Sequence, residues 1–340
     1  MNTQRCLITL NLLKESELKT GYSSKGIRHL LGSLNVALKL PFTRSQFIQE
    51  LPERQKGMSI SGYQPKLSLR LEKGELVVVS NDGTYILKPS PEEYPHLAEN
   101  EHATMCVMQR LKFDVPPFGL MAFRHDENRP DELAFVIKRY DRTESGKTRL
   151  HQEQLDGAMD LGDKYGRVDN NKTISYEKAA KFLNARVSNS LKSKRDLFLR
   201  IVYAYVLGNN DFHLRNIGII LPEKNSPFLA PIYDFISVVP YPAAFGECLA
   251  LPLLEREEKD AGNAPGMNSE YGEYLGADFI LLAQGMDINP ALARKWLSGV
   301  VTHHQLIIDT YTESHMPESQ RVVVLDYIAR RMTLLAVTEI

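Results

Sequence analysis

The residues best suited to chemistry lie between positions 211 and 234. Asp211 and Asn216 stand in one short polar segment after an apolar stretch, and Asp234 follows an apolar-tyrosine pair further along. Phosphoryl transfer needs a carboxylate that accepts a hydroxyl proton, and it needs oxygen ligands for Mg²⁺. Asp211 is therefore a candidate base, and Asn216 and Asp234, the latter on a predicted strand, are candidate metal ligands. Asp and Asn are also common turn residues, so the spacing alone is weak evidence.

Lys88 is a candidate nucleotide-binding cation. It ends an apolar strand pattern over residues 84–88, and the helix pattern that follows carries acidic residues near its start. In a kinase such a lysine contacts the nucleotide phosphates and is held by a carboxylate of the next helix. Glu101 is the predicted carboxylate, with Glu99 as second choice. The plainer alternative is a surface lysine at a strand end.

A glycine- and serine-containing segment, residues 57–66, precedes the first strand pattern. A phosphate-covering loop belongs at that position. Gly62 permits close backbone approach, and the hydroxyls of Ser59 and Ser61 can donate to phosphate oxygens. The pattern is neither a Walker loop nor the three-glycine loop of ordinary kinases. A plain turn is the simpler interpretation.

A second polar segment, residues 149–153, follows the strand-rich part of the chain. Its side chains could line a nucleotide cleft. A helix N-terminus with a solvated face explains the same residues equally well, so both interpretations stay open.

The elements that must position these residues change character along the chain. Residues 26–40 suggest a short helix interrupted near Gly32. Alternation over 67–71, a β-branched run over 76–79 and the hairpin signal Asn81-Asp82-Gly83 predict an antiparallel meander of three strands that ends at Lys88. A helix over 97–111 and a strand over 133–138 complete the first part.

The second part of the chain is predicted to be helical. Ser193 and Asp196 form a capping-box pattern before a helix that is apolar on two sides and leads into residue 211. Residues 277–311 and 320–337 also have helical patterns, and the polar segment 143–147 suggests a link. The fold class is therefore α+β and bilobal. An antiparallel-sheet N-terminal lobe spans residues 1–142, and a mostly helical C-terminal lobe spans residues 143–340.

Composition excludes few functions. Net charge is −1 and apolar content is 43%, as in an ordinary globular enzyme, which gives no support for bulk nucleic-acid or membrane binding. The three cysteines have no metal-binding spacing and are expected to be reduced thiols. No signal peptide and no spanning segment is evident, so a cytoplasmic protein is expected.

Seven segments together resemble the signature segments of HipA-like toxin kinases. Each is weak evidence by itself, but their shared order is specific. The resemblance covers residues 57–236, and the segments are 59–66, 86–89, 99–101, 138–142, 151–153, 211–216 and 233–234.

The resemblance implies a bilobal protein-kinase-like fold, ATP and Mg²⁺ as cofactors, and γ-phosphate transfer to a serine or threonine of another protein. By position in the family's segments, Asp211 would be the base, and Asn216 and Asp234 would be the Mg²⁺ ligands. His213 would take part in catalysis and in nucleotide binding. The other nucleotide-binding positions would be Lys88, Glu101, Lys138, Tyr140, Gln152, Ser59, Ile60, Ser61 and Gly62.

The resemblance also implies regulation. In this family the loop serine that matches Ser59 can be phosphorylated, which switches the enzyme off. Ser61 is a second candidate for the same modification here. A Ser-X-Ser loop and the 56 residues before Gly57 are similar to the short HipT branch of tripartite HipBST systems. In the family's segment an acidic residue stands where this chain has Pro65.

The same resemblance sets the expected partners. They are a protein substrate such as an aminoacyl-tRNA synthetase, and small antitoxins resembling HipS and HipB. DNA would be contacted only indirectly, through an antitoxin, and no membrane is expected. The biological result would be inhibition of translation and growth.

Two other functions are compatible with the same residues. A small-molecule phosphotransferase of kinase-like fold would favour a deep acidic substrate cleft, and no dense carboxylate cluster is evident. A catalytically silent antitoxin-binding module would have no need for Lys88, Asp211, Asn216 and Asp234 together.

Overall fold

The computed structural model describes residues 4–54, 65–127, 129–142, 148–168, 171–172, 174–187, 190–241 and 247–339. The chain divides into two compact units. The first consists of residues 1–149 and 310–317, and the second of residues 150–309 and 318–340. The predicted link, residues 143–147, lies outside the described residues.

A five-stranded antiparallel sheet forms the base of the first unit. The strands are β1 (Leu67–Glu72), β2 (Glu75–Val78), β3 (Tyr85–Pro89), β4 (Phe118–Ala122) and β5 (Leu133–Lys138). Their spatial order is β2-β1-β3-β5-β4. Strand β3, which carries Lys88, therefore lies at the centre of the sheet.

The predicted meander is wrong in its strand pairing. Leu69 of β1 lies opposite Val78 of β2 and also opposite Tyr85 of β3, so β1 separates the strands that a meander would pair. The backbone of residues 81–83 instead passes close to β1. A Cβ added to Gly83 would lie 1.9 Å from Ser68 Oγ. The largely buried β3 occupies the centre, whereas the more exposed β2 remains at the edge.

The helices described alongside this sheet include α1 (Ser24–Leu31), α2 (Arg44–Arg54) and α3 (Leu97–Arg110). The helix predicted over 26–40 ends at Gly32, which caps α1 in the left-handed conformation with a φ of 76°. The helix predicted over 97–111 is confirmed as α3. All of α3 except its last two residues is buried, and it packs against β4 and β5.

Residues 310–317 belong to the first unit and contact α3. The hydroxyl of the fully buried Tyr311 lies 2.9 Å from Thr104 Oγ1 in α3. Glu313 accepts a hydrogen bond of 2.7 Å from Arg110 at the end of the same helix, and it pairs with Arg5 at 2.9 Å. A segment distant in sequence therefore fixes the position of α3.

The described residues of the second unit form two small sheets. Strands β6 (His151–Gln154), β9 (Gly218–Leu221) and β10 (Phe228–Leu229) are arranged in the order β10-β9-β6, and β7 (Arg167–Val168) pairs with β8 (Asn171–Lys172). The helical alternative for residues 149–153 is therefore wrong, because residues 151–154 pair with β9 as a strand.

Helices make up most of the regular secondary structure described in the second unit, as predicted. Its principal helices are α4 (Leu155–Ala158), α5 (Tyr176–Arg186), α6 (Leu191–Leu207), α7 (Gly276–Gly285), α8 (Pro290–Thr302), α9 (His304–Thr312, whose end joins the first unit) and α10 (Glu318–Leu335). The helical region 277–311 is divided because Asn289 caps a new helix with Pro290 at its first position. The α+β class is confirmed. Among the described residues, no helix is long and apolar enough to cross a bilayer.

Helix α6 leads to the candidate catalytic loop, and both of its ends are capped. Its N-cap is Ser190, whose side chain accepts a hydrogen bond from the backbone N–H of Ser193. The predicted capping role of Ser193 is therefore wrong by one helical turn. At the other end, Gly208 is left-handed with a φ of 70°, and a Cβ there would lie 2.2 Å from Val239 Cγ2. Only glycine fits where the chain turns from α6 into the loop.

The cap assignment predicts a difference between two serine variants. We expect Ser190→Ala to lower the free energy of unfolding by about 1 kcal/mol, because one N–H of the first turn loses its acceptor. Ser193→Ala keeps the backbone N–H and should change it by less than about 0.5 kcal/mol. Urea denaturation of both variants checks this, and an equal or larger loss for Ser193→Ala would contradict the assignment.

Candidate functional site

The first unit contributes a buried ion pair. Lys88 Nζ on β3 lies 2.5 Å from Glu101 Oε1 on α3, and the two residues are 4% and 0% exposed. Lys88 Nζ is also 5.6 Å from the centre of the Phe135 ring. The structure thus places Glu101, rather than Glu99, against Lys88 and excludes the surface-lysine alternative. A charge buried to this extent is costly without a partner, and the ion pair offsets that cost for both residues.

Lys138 and Tyr140 lie where β5 ends. The backbone N–H of Lys138 donates to Pro117 O at 2.8 Å, and both side chains are half-buried. Asp141 next to them accepts two hydrogen bonds from Arg139, at 2.9 and 2.7 Å. Burial acts to raise the pKa of Asp141, but Arg139 and then Arg142 hold it below its ordinary value. This charge cluster lies beside the predicted nucleotide-binding positions Lys138 and Tyr140.

The second unit contributes the loop with Asp211 and Asn216. Asn216 Nδ2 donates to the Asp211 carbonyl at 2.8 Å, which closes the loop on itself. Phe212 between them is buried, and its carbonyl accepts a 2.6 Å hydrogen bond from Tyr176 of α5. The Asp211 side chain is 25% exposed, so the carboxylate is partly open to solvent.

His213 lies inside this loop and stays neutral. Its Nε2 is 3.5 Å from Asp211 Oδ1, and the residue is 5% exposed. Burial lowers the pKa of His213 to about 4, with a smaller contribution from the nearby Lys164 ammonium, while Asp234 acts in the opposite direction. A neutral imidazole beside Asp211 can orient the carboxylate without becoming a competing acid.

Asp234 lies in an irregular segment, so its predicted place on a strand is wrong. Its φ is 54°, a left-handed conformation that a strand residue does not adopt, and the preceding strand β10 ends at Leu229. The hydroxyl of Tyr233 donates to Arg215 O at 2.8 Å. The residue before Asp234 is therefore hydrogen-bonded to the residue before Asn216, which brings the two candidate metal ligands into adjacent segments.

The chemistry of Asn216 and Asp234 fits Mg²⁺. Because Asn216 Nδ2 is used by Asp211 O, the amide presents its Oδ1 as the acceptor end. Among the residues that the structure describes, no group of three or more His, Cys, Asp or Glu side chains could hold a metal ion. A two-residue oxygen site suits Mg²⁺, which keeps several waters and takes further oxygens from phosphate.

Gln152 lies on β6, and its side chain faces the segment with Tyr233 and Asp234. It is opposite Ile220 of β9. A Cβ added to Gly218 would lie 3.2 Å from both Gln152 Nε2 and the Tyr233 hydroxyl. The side chains of Gln152 and Tyr233 therefore converge over this glycine, next to the segment that carries Asp234. Ser59, Ile60, Ser61 and Gly62 lie outside the described residues.

Two charged contacts at the loop were missed by sequence reasoning. Lys164 Nζ lies 3.6 Å from Asp211 Oδ1. Arg215 Nε donates to Asp156 Oδ2 of α4 at 2.6 Å, which ties the loop to that helix. Both partners are distant in sequence, so no local spacing could have identified them.

Several known proteins are similar in sequence to this chain. A Haemophilus influenzae protein named "Putative kinase" is 47% identical over 334 residues, which cover 97% of each chain. A Shewanella oneidensis protein named serine/threonine-protein kinase toxin HipA is 27% identical over 201 residues, 54% of this chain and 44% of that protein.

Solved structures show the same fold. The Shewanella oneidensis HipA chain, in a complex with HipB and operator DNA, has a TM-score of 0.64 at 19% identity and covers 98% of this chain and 85% of that one. The Helicobacter pylori kinase CtkA has a TM-score of 0.50 at 13% identity, with 83% and 92% covered. The predicted kinase-like fold is confirmed. Residues 58–305 match the HipA-like C-terminal domain, and the chain therefore belongs to that family of kinase-like proteins.

Proposed function

We propose that this chain is a toxin serine/threonine protein kinase that transfers the γ-phosphate of ATP to a bacterial protein. The observation that carries the proposal is the arrangement of the second unit, where Asp211 and Asn216 close one loop and Tyr233 holds the Asp234 segment against it. The family and its kinase-named relatives support the same conclusion.

Each residue has a defined task in this proposal. Asp211 accepts the proton of the attacking hydroxyl, and His213 orients that carboxylate. Asn216 and Asp234 hold Mg²⁺, which neutralises phosphate charge when bound. Lys88, kept in place by Glu101, pairs with nucleotide phosphates.

The remaining nucleotide contacts are assigned by family position. Lys138 and Tyr140 contact the base, and Gln152 lies beside the phosphates. Residues 59–62 cover the phosphates in this proposal, through hydroxyls and backbone amides.

The alternatives receive less support. A silent antitoxin-binding module would gain nothing from a fully buried Lys88–Glu101 pair, since such pairs are often no more stabilising than apolar residues of similar size. A small-molecule phosphotransferase would share the same loop chemistry, and only the identity of the acceptor separates it from a protein kinase.

A solved relative supports an antitoxin partner, and the other proposed partners rest on the family resemblance. The structure of Shewanella oneidensis HipA is a complex with HipB and operator DNA. We propose an antitoxin of the HipB type here, with DNA contacted through it, and a second small antitoxin resembling HipS if the chain belongs to the HipT branch. The proposed protein substrate is a translation component such as an aminoacyl-tRNA synthetase.

One experiment separates these functions. Purified protein is incubated with Mg²⁺, γ-labelled ATP and bacterial extract, and the labelled products are resolved by size and mapped by mass spectrometry. Label on a serine or threonine of one or a few proteins is the expected result. Label confined to small molecules would favour the phosphotransferase, and no transfer at all would favour the silent module.

Autophosphorylation at Ser59 and Ser61 is a separate prediction. A phosphoserine adds about −1.5 to −2 charges, so beside nucleotide phosphates it should exclude ATP or dock on the cations that ATP needs. We expect ATP affinity and kinase activity to fall on phosphorylation. In a Ser59→Ala/Ser61→Ala double variant, incubation with ATP should cause no such fall from the variant's own starting activity. Titration calorimetry of the phosphorylated and unphosphorylated forms tests this, and equal affinities with equal activities would refute it.

A further inference from the structure

A loop of the second unit holds a lysine beside the candidate base. Lys164 Nζ lies 3.6 Å from Asp211 Oδ1. The carbonyl of Lys164 accepts a 3.1 Å hydrogen bond from the backbone N–H of Leu214, in the middle of the catalytic loop. The main chains of the two loops are therefore joined at this point, which places the backbone that carries Lys164 next to the loop that carries Asp211.

The lysine loop is itself held in one conformation. Asp163 Oδ1 accepts hydrogen bonds from the backbone N–H groups of Tyr165 and Arg167, at 2.8 and 3.2 Å. Gly166 is left-handed with a φ of 61°, and a Cβ there would lie 2.4 Å from Ile174 Cγ1. The turn therefore requires glycine at this position, which fixes where the neighbouring side chains start.

Two cations of this loop share one aromatic ring. The Tyr165 ring lies 4.9 Å from Lys164 Nζ and 4.4 Å from the guanidinium carbon of Arg167. Its centre is 5.5 Å from the centre of the nearly perpendicular His213 ring. Lys164 makes an ion pair with Asp211, whereas Arg167 makes none with the carboxylates of the described residues. Lys164 thus places a cation beside Asp211. Arg167, three positions further on, is a comparable cation and serves as a matched control for substitution of Lys164.

A purely stabilising role would explain little of this construction. The side chains of Lys164 and Asp211 are 24% and 25% exposed, and partly exposed ion pairs contribute little to folding. A pair of that kind does not need a glycine-dependent turn joined to the catalytic loop. The arrangement is better suited to holding a positive charge at the place where the acceptor hydroxyl reacts.

On the basis of the proposed kinase function, we propose that Lys164 is a further catalytic residue, which neutralises the transferred phosphoryl group on the acceptor side. As the acceptor oxygen bonds to the γ-phosphorus, the bond from that phosphorus to the β–γ bridging oxygen breaks. The electron pair of that bond leaves with ADP, and the hydroxyl proton passes to Asp211.

The distances allow this contact. A hydroxyl that gives its proton to Asp211 lies about 3 Å from the carboxylate oxygen, and Lys164 Nζ is 3.6 Å from the same oxygen. The ammonium is therefore within reach of the oxygens on the phosphorus that this hydroxyl attacks. Those oxygens carry the spread charge of the transition state, so a fixed cation there lowers the barrier.

Lys164→Met is the direct test, with Arg167→Met as its control. Removal of one preorganised charge-stabilising group costs roughly 10²- to 10³-fold in kcat. We expect a loss of that size for Lys164→Met, with KM for ATP and thermal stability close to wild type. Lys164→Arg should recover at least about a tenth of the wild-type rate, and Arg167→Met should stay within about threefold of wild type.

A binding measurement gives a readout besides activity. Mg²⁺ and ADP with aluminium fluoride mimic the planar phosphoryl group, so Lys164→Met should weaken this complex at least about tenfold and leave Mg·ATP binding unchanged. An unchanged kcat and unchanged analogue binding would overturn the proposal. Losses of kcat and analogue binding in Arg167→Met equal to those in Lys164→Met would show that the loop is only structural. A selective loss of ATP affinity in Lys164→Met would show that the lysine contacts the nucleotide. Either result would also overturn the proposal. If wild type transfers no phosphate, the proposed function fails separately, because analogue binding still reports on Lys164.

Discussion

Replacing Lys88 by methionine is expected to abolish phosphoryl transfer and to lower the free energy of unfolding by about 3–5 kcal/mol. Lys88 and Glu101 form a 2.5 Å ion pair, and Glu101 is 0% exposed. Without the ammonium the Glu101 carboxylate loses its opposing charge in a place that water does not reach. The nucleotide phosphates lose their cation in the same variant, which is why activity and stability should fall together.

A double variant separates these two effects. Lys88→Met/Glu101→Met replaces the whole pair by apolar side chains of similar length, which is often neutral or stabilising. It should recover most of the lost stability and none of the activity. Urea denaturation and a γ-phosphate transfer assay on wild type, the single variant and the double variant measure this. A double variant as unstable as the single one, or a single variant that keeps activity, would contradict the assigned role of the pair.

Asp211→Asn is expected to lower kcat by about 10²- to 10⁴-fold, because the amide keeps the shape of the carboxylate and loses its basicity. Folding should change by less than about 1 kcal/mol, since the ion pair of this carboxylate with Lys164 is partly exposed. The Asp211 carbonyl still accepts its hydrogen bond from Asn216, so the loop should remain closed.

Asp287→Asn provides the matched control for that variant. The Asp287 side chain is 85% exposed and lies 3.6 Å from Lys194, so the same substitution removes a surface charge with a lysine partner. It should leave kcat at the wild-type value. Circular dichroism measures whether both variants remain folded, and steady-state kinetics measures their kcat values. Comparable rates for Asp211→Asn and wild type would remove Asp211 from the mechanism.

Local sequence patterns predicted the elements of the first unit better than their arrangement. The alternation in β1 and the apolar run of α3 are visible in single windows of the chain. The order β2-β1-β3 is not, because strand pairing depends on which strand is buried by β5 and α3. The hairpin signal at residues 81–83 therefore marked a segment that passes close to β1. It wrongly predicted that β2 pairs with β3.

The same distinction applies to the candidate site. The pairing of Lys88 with Glu101 was predicted because both residues belong to consecutive elements. The left-handed conformation of Asp234 was missed, since the preceding apolar residues resemble a strand and only the hydrogen bond from Tyr233 to Arg215 shows the real path. Lys164 was missed for a similar reason, because its loop meets Asp211 only through tertiary folding.

The most direct test of the kinase assignment is a comparison of wild type and Asp211→Asn in one transfer assay. Both proteins are given Mg²⁺, γ-labelled ATP and bacterial extract, and ATP binding is measured in parallel. The role of Asp211 as the base predicts that both bind ATP with similar affinity, and that only wild type places label on protein serine or threonine. Equal labelling by the two proteins, or labelling by neither despite ATP binding, would contradict it.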